Sequence, residues 1–202
     1  MSMVIAFPNP PSPPGVLLTA QGSDPQPEWP DIPGLVEFAG RILHAADWDP
    51  HCPLPGRQIA VIGDGRSLAQ LLPRITPQLR HLTVFQPEPV WVAPRMTSGA
   101  SDHAHRWLAA WPDLLNRLME QACRLHLRLQ IPTPDLRRRL TPDSRLDSRR
   151  LIYSNDYYPV FNRPNVTLCT EAIARIRAGS IETVHQRRHP VDTLILATER
   201  PG

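Results

Sequence analysis

Short runs of consecutive apolar residues, separated by glycine and proline, form the main hydrophobic pattern of this chain. One run covers residues 59–62 and passes directly into Gly63, and another covers residues 82–85. Continuous apolar runs of this length are typical of strands in a parallel sheet that is covered on both faces. Residues 67–72 between them have a helical pattern, which Pro73 is expected to curtail or disturb. The order strand, glycine turn, helix and strand predicts a βαβ unit.

Further elements are predicted on both sides of this unit. A hairpin with a turn at Gly179 is expected within residues 172–184. Additional short strands are expected at residues 16–19, 166–168 and 191–198. The pattern favours an α/β fold: a Rossmann-like, mostly parallel sheet with flanking helices and a short helical insertion.

An amphipathic helix is predicted between residues 107 and 129, because apolar residues recur there at steps of three and four. It could begin near Trp111, where a proline follows that suits a first helical turn. We expect its apolar face to pack on the sheet of the same domain, with binding to a partner as the alternative. That face consists of Trp107, Leu108, Trp111, Leu114, Leu115, Leu118, Met119, Ala122, Leu125 and Leu129.

Length and composition narrow the class of protein. The 202 residues suit one α/β domain, and the 25 prolines exclude a coiled coil, a long helical bundle or a flat all-β sandwich. We divide the chain into a proline-rich extended lead-in at residues 1–15 and a Rossmann-like domain at residues 16–202.

The charge and the cysteines exclude several kinds of partner. The net charge of +3, from 22 basic and 19 acidic residues, is too small to argue for nucleic acid. No apolar window is long enough for a membrane span, and the first residues lack the basic region of a secretory signal. Three scattered cysteines predict reduced thiols in the cytoplasm, and the histidines lack metal-ligand spacing, so no metal site is expected.

Candidate chemistry lies at the glycine turn that follows the first run. Gly63 and Gly65 form the first half of the dinucleotide fingerprint GxGxxG, in which a tight turn lets backbone N–H groups approach a pyrophosphate. Leu68 replaces the third glycine, and we expect it to push helix and strand apart or change their crossing. Glu88 lies near the place of the acid that binds the ribose. The candidate cofactor-binding residues here are Gly63, Asp64, Gly65, Arg66, Ser67, Gln70 and Glu88. These residues alone leave open a dinucleotide-binding domain or a Rossmann-shaped domain that has lost its ligand.

The stretch before the turn carries a longer pattern. Phe38, Gly40, His44, Trp48 and Asp49 fit FxGxxxHxxxW(P/D) at every fixed position. This resembles the signature of type I Baeyer–Villiger monooxygenases, flavin-containing monooxygenases that insert oxygen beside a ketone. The resemblance runs from about residue 16 to residue 198. It includes the stretches 31–35, 56–63, 85–86, 89–95, 140–143, 150–151, 154–159, 163–166 and 192–198.

The resemblance implies that residues 16–202 form an NADP- or NAD-binding domain, which in the family is inserted between two halves of an FAD domain. Relative to the family, its helical insertion is reduced to about residues 97–131. There the nucleotide reduces the flavin, O₂ gives a flavin peroxide, and an arginine stabilises that anion while holding the cofactor. Arg150 matches this catalytic arginine, and Arg149 is placed to meet a 2′-phosphate. A guanidinium suits both roles because it stays charged and binds oxyanions through two N–H groups. His44 is expected to be structural or hinge-like.

Several departures from the family change the expected function. The FAD-binding turn and the second flavin segment are expected to be missing, Pro87 replaces an arginine that contacts the 2′-phosphate, and Glu199 replaces a glycine. We therefore expect no FAD in the isolated chain, and a component or remnant of an oxidoreductase that acts with a flavin-bearing partner or as a homo-oligomer. Two alternatives stay open: a non-catalytic protein-interaction module, and a non-redox small-molecule enzyme on a degenerate Rossmann fold.

Overall fold

The computed structural model describes residues 32–45, 54–95, 112–147 and 151–197. The predicted lead-in at residues 1–15 and the strand at residues 16–19 lie outside this range. In chain order the strands are β1 (Arg41–His44), β2 (Gln58–Gly63), β3 (His81–Phe85), β4 (Val92–Ala93), β5 (Ile152–Tyr153), β6 (Val166–Cys169), β7 (Ile173–Arg177), β8 (Ser180–Thr183), β9 (Arg188–Pro190) and β10 (Thr193–Ala197). The helices are α1 (Gly65–Ile75), α2 (Pro112–Gln130), α3 (Pro134–Arg139) and α4 (Tyr157–Val160), with 3₁₀ turns at Leu35–Glu37 and Thr76–Gln78.

A five-stranded parallel sheet in the order β1-β10-β2-β3-β6 forms the centre of the described fold. β2, α1 and β3 form the predicted βαβ unit, and the chain continues outward to β6 before it returns to place β10 on the other side of β2. The strand order therefore reverses between β2 and β10. In open α/β sheets, ligands bind at the carboxyl ends of the strands on either side of such a reversal. The α/β fold class predicted from the sequence is confirmed.

The alternation of side chains along the strands divides the core between the two faces of the sheet. On one face Ile59 and Val61 of β2 pack with Leu68 and Leu72 of α1. On the opposite face Ala60 packs in a second cluster. Both faces of β2 are thus covered, which explains its continuous apolar sequence.

α1 differs from its prediction, because Pro73 lies inside the helix and the helix continues to Ile75. The end is closed by Thr76, whose backbone N–H and side-chain hydroxyl both donate to the carbonyl oxygen of Leu72, the hydroxyl at 2.6 Å. Leu72 and Ile75 are buried in the core, so packing offsets the backbone hydrogen bond that proline cannot make. Leu68 is also fully buried, and its side chain fills the space next to the sheet.

α2 confirms the predicted helix over Pro112–Gln130, whereas Trp107, Leu108 and Trp111 of the predicted face lie outside the described residues. The predicted apolar face is wrong in its second half. Leu118, Leu125 and Leu129 are 51%, 57% and 76% exposed, and Ala122 is exposed with them. The buried positions are Cys123, His126 and Leu127. His126 contacts the carbonyl oxygen of Ser154 through Nε2 at 3.0 Å, and Leu127 reaches the main core. Tertiary packing therefore selects a face that is rotated away from the most hydrophobic stripe.

The predicted hairpin is confirmed and is extended to a three-stranded antiparallel sheet, β7-β8-β9. His189 of β9 lies edge-on to Phe85 at the end of β3, with ring centroids 5.3 Å apart. Its Nε2 is buried and has no hydrogen-bond partner among the described residues. Burial lowers the pKa of His189; the charge of Glu171 partly opposes this effect, and Arg187 and His81 reinforce it. Burial therefore favours the neutral form of the ring.

Acidification should destabilise the fold through His189. Because its pKa is lowered in the folded state, the unfolded chain takes up a proton first as the pH falls below 6.5, and the free energy of unfolding decreases from there. Urea unfolding on either side of this pH should show a smaller decrease in His189→Phe than in the wild type. The exposed His185→Gln is the control and should keep most of the decrease. An equal pH dependence in wild type and His189→Phe would contradict this account.

Candidate functional site

The glycine turn lies at the carboxyl edge of the sheet, where β2 and β10 end side by side. Gly63 is opposite Ala197 in the parallel register. A Cβ at Gly63 would lie 2.3 Å from the carbonyl oxygen of Ala197. The first glycine of the fingerprint is thus required by the close approach of β10.

Asp64 caps the N-terminus of α1. Its backbone is extended, and its Oδ1 accepts hydrogen bonds from the backbone N–H groups of Arg66 and Ser67, each at 3.0 Å. The hydroxyl of Ser67 lies 3.4 Å from the other carboxylate oxygen. Aspartate is among the preferred N-cap residues, so this is a stable local arrangement. Backbone N–H groups at the start of a helix attract anions, and here the carboxylate of Asp64 occupies two of them.

Gly65 is buried, and it makes room for a neighbouring segment. A Cβ at this position would lie 2.4 Å from Cγ2 of Val90, in the segment that follows β3. The second glycine therefore lets Val90 pack against the first turn of α1. This contact fixes the position of the helix N-terminus from one side.

The end of β3 carries a buried polar pair that the sequence did not single out. The hydroxyl of Tyr157 donates to Oε1 of Gln86 at 2.5 Å, and both side chains are buried. Burial raises the pKa of Tyr157, so the phenol stays protonated and remains a donor. Nε2 of Gln86 is buried and has no hydrogen-bond partner in the described ranges. In the sequence, only the glutamine directly after a buried strand pointed to this pair.

A mostly apolar cavity of about 230 Å³ lies next to the turn, at the carboxyl ends of β2 and β3. Its lining includes Ile62, Phe85, Pro87, Ala172 and Ile173. In Rossmann-like folds the crevice outside the carboxyl ends of the strands binds the dinucleotide. Apolar walls of this kind suit a planar base.

A second cavity, of about 430 Å³, follows the outer face of α1. It brings together two predicted cofactor-binding residues, Arg66 and Gln70, with Arg74 and Arg95. Asp156 supplies an acidic side chain to the same lining. The predicted residues around the turn are thus divided: Gly63, Asp64 and Gly65 shape the edge of the sheet, whereas Arg66 and Gln70 are exposed beside it.

Glu88 is exposed and follows Pro87, which lines the cavity at the strand ends. This places the predicted ribose-binding acid close to that cavity. Predicted residues that lie outside the described part of the chain are Trp48, Asp49, Arg149 and Arg150, and Glu199 lies outside it too.

The remaining motif residues in the described ranges are buried or lie close to the backbone of a neighbouring segment. Phe38 is buried in the second core cluster, and a Cβ at Gly40 would lie 2.3 Å from the carbonyl oxygen of Asp192. His44 is buried and is the last residue of β1, opposite Leu196 of β10.

The described residues contain no group of three or more histidine, cysteine, aspartate or glutamate side chains that could hold a metal ion. Nor does this part of the chain contain a helix with the length and apolar character needed to span a membrane.

The chain is similar in sequence to curated monooxygenases. It is 32% identical over 207 residues to a Baeyer-Villiger monooxygenase of Streptomyces coelicolor, which covers 91% of this chain and 40% of that protein. A Baeyer-Villiger monooxygenase of Pseudomonas aeruginosa is 29% identical over 206 residues, with 90% and 39% covered. The chain thus spans about two-fifths of the length of these relatives. No family model matches it.

The fold is also found in solved structures. Cyclohexanone monooxygenase from Rhodococcus sp. Phi1, in a crystal structure bound to NADP+, gives a TM-score of 0.71 at 23% identity. The similarity covers 84% of this chain and 43% of that one. At this identity the comparison shows the fold alone.

The contact between Gly65 and Val90 can be tested with a double-mutant cycle. Gly65→Ala should lower the free energy of unfolding by about 1–3 kcal/mol, because the added methyl group overlaps both methyl groups of Val90. Val90→Ala in the same chain removes these two atoms and should recover part of the loss. Gly63→Ala is the matched control: its methyl group meets the backbone of Ala197, so Val90→Ala should not recover it. Additive effects of Gly65→Ala and Val90→Ala, measured by urea unfolding, would contradict the contact.

Proposed function

Because this chain is a relative of part of the Baeyer–Villiger monooxygenases, with similarity over about two-fifths of their length, we propose that it is their nicotinamide-nucleotide-binding part. It would act as a component of an oxidoreductase and serve a flavin that is held elsewhere. The observation that carries the proposal is the position of the Gly63–Gly65 turn at the carboxyl edge of a parallel sheet, where the strand order reverses.

The described residues fit the nucleoside end of such a ligand. The adenine would lie in the cavity beside Ile62 and Phe85, whose walls are mostly apolar. Glu88 would accept a hydrogen bond from a ribose hydroxyl. When bound, the nicotinamide nucleotide supplies a hydride, and the protein's part is to hold and orient it.

The diphosphate end fits under one condition. The N–H groups of Arg66 and Ser67 point from the start of α1, where the helix dipole favours an anion. The Asp64 carboxylate occupies both groups, so it must turn away before a diphosphate can use them. Arg150 and Arg149 remain proposed as the side chains that hold the nicotinamide end and a 2′-phosphate.

The residues after β3 favour NADH over NADPH. Pro87 cannot pair with a 2′-phosphate, and the negative charge of Glu88 would repel it. A free ribose hydroxyl can instead donate to this carboxylate. Arg149 would act against this preference for NADH, because its guanidinium would attract the 2′-phosphate of NADPH.

The flavin is proposed to be bound outside the described part of the chain, by another segment or by a second, flavin-bearing protein. The chain described here would then present the nucleotide to that flavin. A homo-oligomer is the alternative source of a completed site. We place the protein in the cytoplasm, with neither nucleic acid nor a membrane as a partner.

A non-catalytic interaction module is the second candidate function. It is favoured by the Asp64 carboxylate, which satisfies the turn without a ligand, and by the exposed leucines of α2. Such a module would keep the fold and bind no nucleotide. Nucleotide binding therefore distinguishes the two candidates.

NADH should raise the melting temperature of the chain, because a ligand that binds only the folded state stabilises it by about 2.7 kcal/mol at a hundredfold excess over Kd. Ala172 is exposed and lines the cavity at the strand ends, so Ala172→Trp should fill the cavity and abolish the shift. The matched control is Ala174→Trp, an exposed position of β7 outside the lining, which should keep it. No shift in the wild type at millimolar NADH and NADPH would favour the interaction module.

The nucleotide preference should follow the charge after β3. Glu88→Arg should strengthen NADPH binding relative to NADH by about tenfold, because it replaces a repulsive charge with one that pairs with the 2′-phosphate. Isothermal titration calorimetry with both nucleotides measures the ratio of the two Kd values. Asp143→Arg makes the same charge change on an exposed loop and should leave the ratio unchanged. An unchanged ratio in Glu88→Arg would place the ribose elsewhere.

A further inference from the structure

The carboxylate of Asp64 stands where the diphosphate of a nucleotide would bind. We propose that Asp64 is a tethered anion that competes with the diphosphate for the first turn of α1, and so weakens nucleotide binding by this chain. The inference rests on the proposed function and concerns the regulation of the same site. Its geometric basis is the pair of 3.0 Å hydrogen bonds from the N–H groups of Arg66 and Ser67 to one carboxylate oxygen.

The carboxylate and a diphosphate cannot use these donors together. Each backbone N–H has one proton to donate, and both protons are directed at Oδ1 of Asp64. A phosphate oxygen brought to the same place would also lie within a few ångströms of the carboxylate charge. Like charges at such a distance repel by about 1 kcal/mol in water and by more beside a protein. Binding therefore requires the carboxylate to leave.

The conformation in which Asp64 caps α1 is low in energy. The backbone of Asp64, with φ −84° and ψ 165°, has the extended conformation that an N-cap residue adopts. The carboxylate is held by hydrogen bonds from backbone N–H groups at the positive end of a helix dipole, an environment that stabilises a negative charge. In the ligand-free protein, the N–H groups at the start of α1 thus have a hydrogen-bond acceptor in Asp64.

The side chain is the part that moves, because the helix is fixed. Val90 packs against Gly65 at the start of α1, and Leu68 one turn on is fully buried. A shift of the helix would disturb both contacts. Rotation of the Asp64 side chain about its Cα–Cβ bond disturbs neither, and it uncovers both N–H groups at once.

Two substitutions separate the charge of Asp64 from its capping role. Asp64→Asn keeps an oxygen that can accept both hydrogen bonds and removes the charge, whereas Asp64→Ala removes both. We expect Kd for NADH, measured by calorimetry, to fall by about tenfold in Asp64→Asn and further in Asp64→Ala. The ligand-free melting temperature should fall in Asp64→Ala and change little in Asp64→Asn. Asp135→Asn removes a carboxylate from the first turn of α3 and should leave Kd unchanged.

Backbone amide resonances give a second readout that does not depend on affinity. In ¹H–¹⁵N spectra of Asp64→Asn, NADH and inorganic pyrophosphate should both shift the Arg66 and Ser67 signals. Equal or weaker binding in Asp64→Asn than in the wild type would overturn the tethered anion and leave the proposed function intact. Tighter binding without movement of these two signals would overturn it as well. Failure of wild type and all variants to bind at millimolar nucleotide would overturn both proposals.

Discussion

The insertion of β10 between β1 and β2 is the constraint on which the rest of the structure depends. It creates the reversal of strand order, and it brings the carbonyl oxygen of Ala197 so close to residue 63 that only glycine fits there. The turn after β2 is therefore fixed in place by the sheet before any ligand is considered. Two features lie at this edge of the sheet: the cavity at the ends of β2 and β3, and the N-terminus of α1.

The turn serves the protein's own packing as well as a possible ligand. Gly65 admits Val90, and Asp64 provides the hydrogen-bond acceptors that the first helical turn needs. A fingerprint of glycines can thus be retained for folding alone, because each glycine here has a neighbouring atom that excludes a side chain. The glycines of the turn therefore have a structural reason that does not depend on a ligand.

Much of the fold could be predicted from the sequence where the pattern was local. The apolar runs gave β2 and β3, and the glycine turn gave the β7–β8 hairpin, because burial on both faces and tight turns leave direct traces in sequence. The buried face of α2 could not be predicted, since two stripes share the same spacing and the one with Cys123 and His126 is the less apolar. The continuation of α1 past Pro73 depends on burial of Ile75, which no local pattern contains.

The glycine turn could be located from the sequence, but the contacts among its residues could not. An aspartate before a helix is a known cap signal, but its competition with a ligand emerges only from the two shared N–H groups. A crystal structure of the chain with NADH at saturating concentration tests the central claim most directly. It should show the base in the cavity beside Ile62 and Phe85, the diphosphate on the N–H groups of Arg66 and Ser67, and the Asp64 carboxylate turned away. A nucleotide bound elsewhere, with Asp64 still capping α1, would contradict the account.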